Sequence, residues 1–248
     1  MKKKAIYTIV LVSLFIVSCG DQGPSASEVM DKAIVAHGAD LAANARLDFM
    51  FRKLNYSVDR NAGSFSYERN FPQAGAQVTD RWNNDGFTRH INDSLIVLND
   101  SIASRYKASL NSVVYFAQLP YSLDGEAVNL KMIGTDSIKG SNYYEIEVTF
   151  KENGGGEDHE DVFLYWIDTQ DFLIDYMAYS FCELECGFRF RESINRRNLE
   201  GIVVQDYNNY KSSKQDPELS DLDDAFEAGK LQLLSEINTE FPEVTLNK

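Results

Sequence analysis

Tyr143–Arg191 runs YYEIEVTF, KENGGGEDHED, VFLYWID, TQ, DFLIDYMAYSFC, ELE and CGFRFR, strand-like pieces separated by turn-like ones. In the first piece Tyr144, Ile146, Val148 and Phe150 alternate with Tyr143, Glu145, Glu147 and Thr149. A period of two marks a strand with one buried and one wet face. The residues around Trp166 are apolar on both faces, so that strand is expected to be covered on both sides. Gly154-Gly155-Gly156, Thr169-Gln170-Asp171 and Glu183-Leu184-Glu185 supply the turns between antiparallel neighbours. The expectation is a curved antiparallel sheet, a mainly β (α+β) fold.

The same pattern extends in both directions. Leu47–Val58, the strand after Gly63 carrying Phe65 and Tyr67, and a hairpin of 76–82 with 87–91 closed by Asn83-Asn84-Asp85-Gly86 build the sheet before it. Residues 128–138, 202–210 and 231–237 continue it afterwards. Three helices interrupt the strands. Ser27 is expected to cap the first, which stops at Gly38. Asp100 is expected to cap the second, whose stripe Ala103, Tyr106, Leu110, Val113, Val114 and Ala117 runs to Leu119-Pro120. A helix of that length is marginal alone and must bury its stripe on the sheet, as core or as a plug over a cavity. Ser220 begins the third.

The chain has 248 residues, enough for one large β-rich domain, and its 44% hydrophobic and 12% aromatic content supports a sizeable core. Its opening, Met1-Lys-Lys-Lys4 followed by an apolar run from Ile6 to Val17 and then Ser18-Cys19, reads as a signal peptide (1–18) ending at a lipobox. Cys19 is then the acylated residue, with palmitate-like chains holding it on a membrane, and 19–26 is a polar tether. Residues 27–240 form the domain and 241–248 a tail. Gly20 in place of aspartate after the anchor favours the outer membrane facing the periplasm over inner-membrane retention, with the cell surface as alternative. Setting aside Lys2, Lys3 and Lys4 leaves 21 basic against 38 acidic residues, so nucleic acid is excluded as a partner.

Motifs of chemistry are sparse. Gly154–Asp161 offers Asp158, His159 and Asp161 as weak cation ligands, at a spacing that matches neither an EF-hand nor a zinc motif. An acidic solvated hairpin loop explains it as well. Cys182 and Cys186 face each other across a three-residue loop, as a disulfide or as two buried thiols. Phe188 and Phe190 share one strand face and Arg189 and Arg191 the other. The arginines are expected to pair with Glu145 or Glu147, an anion site being the alternative. There is no G-x-S-x-G, P-loop or G-x-G-x-x-G. No cofactor is implied.

The segments NDGFTRHIN (84–92), LNSVVYFAQLPYSL (110–123), GGGEDHEDVFLYWI (154–167), FRFRESIN (188–195), VQDYNNYK (204–211) and DAFEAGKL (224–231) resemble those of a family of Gram-negative lipoproteins. Some of its members carry a deoxyribose-phosphate aldolase label. The resemblance implies a half-barrel like that of the lipoprotein carriers LolA and LolB, strongly curved, with helices on the concave side and 103–119 as lid. It brings no catalytic residues. The aldolase label requires a (β/α)8 barrel, whereas strand follows strand here, and Lys131, Lys139 and Lys151 sit in or beside exposed hairpins rather than in the apolar pocket a Schiff-base lysine needs. Three functions compete. One is an anchored, non-catalytic binding protein for a lipid or other amphiphile, with Tyr67, Trp82, Phe150, Trp166 and Phe190 as cavity wall. The second is an assembly subunit docking an unidentified protein partner, and the third a cation-dependent hydrolase around Asp158, His159 and Asp161.

Overall fold

A computed structural model describes residues 23–154, 159–182, 186–214 and 217–247. The first helix, α1 (Ala26–Ala36), is capped by Ser25. The Ser25 hydroxyl accepts from the Glu28 amide at 3.2 Å, and the Glu28 carboxylate accepts from the Ser25 amide at 2.8 Å. This reciprocal box needs Ser and Glu three residues apart. Ser25 satisfies that spacing and the expected cap, Ser27, does not.

Six strands follow as a meander: β1 (Ala45–Phe51), β2 (Leu54–Asn61), β3 (Ser64–Gln73), β4 (Ala76–Asn83), β5 (Gly86–Ile91) and β6 (Ser94–Ile96). Then come α2 (Asp100–Ala117) and six more strands, β7 (Val128–Ile138), β8 (Ser141–Phe150), β9 (Val162–Asp168), β10 (Ile174–Cys182), β11 (Cys186–Leu199) and β12 (Ile202–Ser212). A short helix α3 (Leu222–Glu227) precedes β13 (Leu231–Ile237) and β14 (Glu240–Leu246). Two-residue turns at 52–53, 62–63, 74–75, 92–93, 139–140 and 200–201 have positive φ at both positions. That is the turn whose twist matches an antiparallel hairpin. Local turn chemistry therefore dictates the meander.

The expected curved antiparallel sheet is present as two open seven-stranded sheets, neither closed into a barrel. The first has the order β14-β1-β2-β3-β4-β5-β6 and the second β13-β12-β11-β10-β9-β8-β7. One stretch of chain joins them. β13 pairs with β12, and two residues later β14 pairs with β1, Ala45 opposite Leu246. A strand that bends and changes sheets makes a corner. Asp206 pins this one, accepting from the Thr239 amide at 2.7 Å and from Arg197 at 2.6 Å. The segment expected as a tail thus supplies an edge strand through Leu246, and Pro242 is tolerated there because an edge has a side that needs no donor.

The two sheets share one inner side. α1 buries Val29, Met30 and Ala33 there against Ile146, Phe163, Tyr165 and Met177 of the second sheet. α2, capped by Asn99 rather than Asp100, packs Leu110 and Val114 on Leu47, Phe49 and Val58 of the first. Its opposite edge turns Tyr115 and Phe116 towards the second sheet. α2 therefore spans the groove between the sheets. Beneath its N-terminal half lies a buried ion network: Asp80, fully inaccessible, accepts from Arg69 and Arg89 at 2.6 Å each. Arg69 also reaches Ser109 of α2 at 3.0 Å, and the Arg89 guanidinium lies 3.5 Å from the ring centre of Tyr106. α3 departs from the expectation that the helices gather on the concave side. It covers the outer face of the second sheet, where Leu222 and Phe226 meet Tyr143, Trp166, Tyr176 and Phe190. That outer cover is why β9 is apolar on both faces.

Candidate functional site: a cavity under helix α2

Where α2 bridges the two sheets it leaves a cavity of about 870 Å³. This lies within the roughly 300–1,000 Å³ that small-molecule pockets occupy. Phe49 and Phe51 of β1 form one wall, and Phe150, Phe163, Tyr179 and Phe181 form the other. Ser109, Ser112, Val113 and Phe116 of α2 make the roof. The aromatics hold one another: Phe163 stacks on Tyr179 at 5.5 Å, and Phe150 meets Phe163 edge-on at 5.9 Å. Behind them the Tyr115 and Tyr165 hydroxyls share a 2.7 Å hydrogen bond. Burial pushes both phenols well above the usual tyrosine range, so both stay neutral.

The charge of the lining is opposite to that of the chain. Among the described residues it carries four arginines, Arg52, Arg105, Arg189 and Arg191, and one carboxylate, Asp161, in a protein of net charge −14. Arg191 is the buried member, 7% exposed. One Nη2–H donates to the Tyr179 hydroxyl at 2.7 Å, and the guanidinium lies 3.9 Å from the ring centre of Phe116. Among the described residues its Nε and Nη1 have no hydrogen-bond partner. The expected pairing of the arginines with Glu145 or Glu147 does not form. Strand alternation turns those glutamates to the outer face, where Glu147 meets Lys131 at 3.5 Å, and Arg189 donates to the Phe188 carbonyl.

Of the five aromatics expected as cavity wall, Phe150 lines it. Tyr67 and Trp82 lie on the inner side but pack with Phe65 against the first sheet's core, with Lys107 over the Trp82 ring at 5.2 Å. Trp166 and Phe190 face outward beneath α3. Aromatic character alone did not distinguish the faces, because both are buried. Of the GGGEDHED ligands, Asp161 lines the cavity, His159 does not, and Asp158 lies outside the described residues, as does Cys19. Cys182 and Cys186 are joined in a disulfide, their Cα atoms 4.0 Å apart across the β10–β11 hairpin.

A different set of carboxylates comes together. Asp136 of β7, Glu145 of β8 and Asp223 of α3 bring oxygens within 4.8 Å of one another on the outer face. Gly134, opposite Glu145, leaves the room. Burial, a hydrogen bond with Asp136 and the neighbouring negative charges raise Asp223 to about 7. No motif spacing announces it, since the three come from separate elements.

The model of a family of unknown function, DUF6503, matches residues 3–239. The chain belongs to that family. Among curated proteins none matches this DUF6503 chain by sequence. In structure it is similar to a LolA superfamily protein of Nitrosomonas europaea, at 10% identity and a TM-score of 0.47, over 91% of this chain and 94% of that one. It is also similar to a protein of Vibrio parahaemolyticus described as an outer membrane lipoprotein-sorting protein domain, at 9% identity and a TM-score of 0.47, over 89% and 92%. A third likeness is to the lipoprotein LppX of Mycobacterium tuberculosis, at 13% identity and a TM-score of 0.30, over 63% and 90%.

Proposed function

We propose that this DUF6503 protein is a lipid-anchored, non-catalytic binding protein that holds an amphiphile in the cavity under α2. The observation that carries the reading is the cavity itself, about 870 Å³ and walled by Phe49, Phe51, Phe150, Phe163 and Phe181. Apolar surface of that extent, left open between two packed sheets, is stabilised by an apolar occupant at roughly 25 cal/mol per Å² removed from water. The anchor at Cys19 puts the domain beside lipid, in the outer membrane facing the periplasm, and α2 acts as the lid.

Binding rather than catalysis also fits the lysines. Lys131 pairs with Glu147, Lys139 with Glu192 at 2.8 Å, and Lys151 donates to the Glu126 carbonyl at 2.7 Å, all outside the cavity. Among the described residues every strand pairing in both sheets is antiparallel, so the parallel barrel of a Schiff-base aldolase is not this fold. The test is native mass spectrometry of the full chain carrying Cys19→Ser, purified without detergent, followed by organic extraction. A stoichiometric lipid-sized adduct is expected. A clean apo mass that added lipids leave unchanged ends the carrier reading.

A further inference from the structure

Two features of the cavity ask for more than an apolar tail. The first is the inversion of charge, four arginines to one aspartate among the described residues of the lining, in an acidic protein. The second is Arg191, nine-tenths buried, with two donor nitrogens unpartnered among the described residues. A buried guanidinium without an anion is destabilising, and its remaining N–H groups are directional donors that match a carboxylate or phosphate edge. The strand registers explain its placement. Arg191 stands opposite Met177 on one neighbouring strand and Asn209 on the other. Neither supplies a carboxylate. Phe116 covers one face of the guanidinium and Tyr179 takes one N–H, which leaves the edge carrying Nε and Nη1 unpaired.

We propose that the occupant is an anionic amphiphile whose acidic head group is held by Arg191, with its acyl tail along the Phe49–Phe163 walls. This rests on the cavity reading above and adds the head-group chemistry, a carboxylate or a phosphate monoester. Arg105, contributed by α2, and Arg189, on the same strand face as Arg191, supply further positive potential in the lining. A charge-assisted bond to a buried guanidinium is worth about 1.5–3 kcal/mol, which corresponds to at least about tenfold in affinity.

The experiment is calorimetric titration of the full chain carrying Cys19→Ser, stripped of bound amphiphile, with palmitate, palmitoyl lysophosphatidate and palmityl alcohol. Both acids are expected to bind at least about tenfold more tightly than the alcohol. Arg191→Met should bring the acids down to the alcohol's affinity, and Arg191→Lys should keep part of the preference. Thermal melts of both variants establish that they are folded. The stronger of the two acids identifies the head group as carboxylate or phosphate. Equal affinity for acids and alcohol, or an acid preference that survives Arg191→Met, overturns the head-group assignment while leaving the cavity reading intact. If none of the three binds, the cavity reading fails and this inference with it.

Discussion

The Cα of Gly38 packs so tightly against Gly201 that a Cβ on it would stand 2.0 Å from the Gly201 carbonyl oxygen. This contact fastens the end of α1 to the β11–β12 turn, and the bond from the Val203 amide to the His37 carbonyl, 2.8 Å, lies beside it. Gly38 also has φ of +60°. Gly38→Ala must therefore displace backbone as well as strain it, and a loss of about 3 kcal/mol or more is expected. Gly63→Ala is the control, with φ of +85° and nothing within 4 Å of an added Cβ. It should lose only about 1 kcal/mol. Urea midpoints at constant m compare the two, and equal losses would mean that the Gly38–Gly201 contact relaxes freely.

Asp80 sets the second expectation. It compensates two arginines that are themselves nearly inaccessible, and these in turn hold Tyr106 and Ser109 of α2. Asp80→Asn leaves buried positive charge, for a loss of about 3–5 kcal/mol. Amide exchange in residues 106–110 should accelerate more than in β8–β10, because the roof of the cavity loses its tie. A loss below about 1 kcal/mol would indicate that the arginines reach water.

How far the sequence carries is clearest at Phe188-Arg-Phe-Arg. Alternation correctly puts Phe188 and Phe190 on one face and the arginines on the other, because a period of two is a property of the chain itself. Which face meets the cavity is decided by α2 and α3, elements far away in sequence. Trp166 and Phe190 therefore looked like wall residues and lie beneath α3. Helix α2 was legible through Leu110 and Val114, the stripe that packs on the first sheet. Phe116 and Ser112, which roof the cavity, lie off that stripe. β14 was missed because EFPEVTL has a proline and a weak alternation, both acceptable on an edge. The anion site named as the alternative reading of Arg189 and Arg191 has its signal in the same alternation, which sets both arginines on the face opposite Phe188 and Phe190, with Met177 and Asn209 rather than an acid at the register of Arg191.

Two buried groups give the stability a pH dependence of opposite signs. Burial lowers His37 to about 4 from an ordinary 6.5, its Nδ1–H donating to the Ala33 carbonyl while Nε2 accepts from the Ile174 amide. Between those values the unfolded chain takes a proton that the folded one refuses, so stability falls as pH drops, by about 3 kcal/mol in all. Asp223, raised to about 7 from 3.8, does the reverse. The folded state holds the extra proton, and that stabilisation is lost as pH rises through 7. Asp223→Asn keeps a donor toward Asp136 and never ionises. Relative to the unsubstituted chain it should gain stability progressively as pH rises from 3.8 to about 7, and the difference should then level off. Urea titrations from pH 5 to 8 check the sign, and a difference that is flat with pH would rule out a raised Asp223.

The Tyr115–Tyr165 hydroxyl pair offers a test of how α2 is held over the second sheet. Both hydroxyls are buried and each finds the other at 2.7 Å. Tyr165→Phe removes one partner and leaves the Tyr115 hydroxyl in an apolar site, as Tyr115→Phe does for Tyr165. Each single change is expected to lose about 1–2 kcal/mol, the desolvation of an orphaned hydroxyl. The double change removes both hydroxyls and orphans neither, so its loss should be no greater than that of one single change. The double-mutant cycle then returns a coupling of about 1 kcal/mol or more. Additive losses would show that the two hydroxyls do not depend on each other. In that case the edge of α2 facing the second sheet is held by packing without the hydrogen bond, Tyr115 against Phe150 and Phe163, and Phe116 against Phe163, Tyr179 and the Arg191 guanidinium.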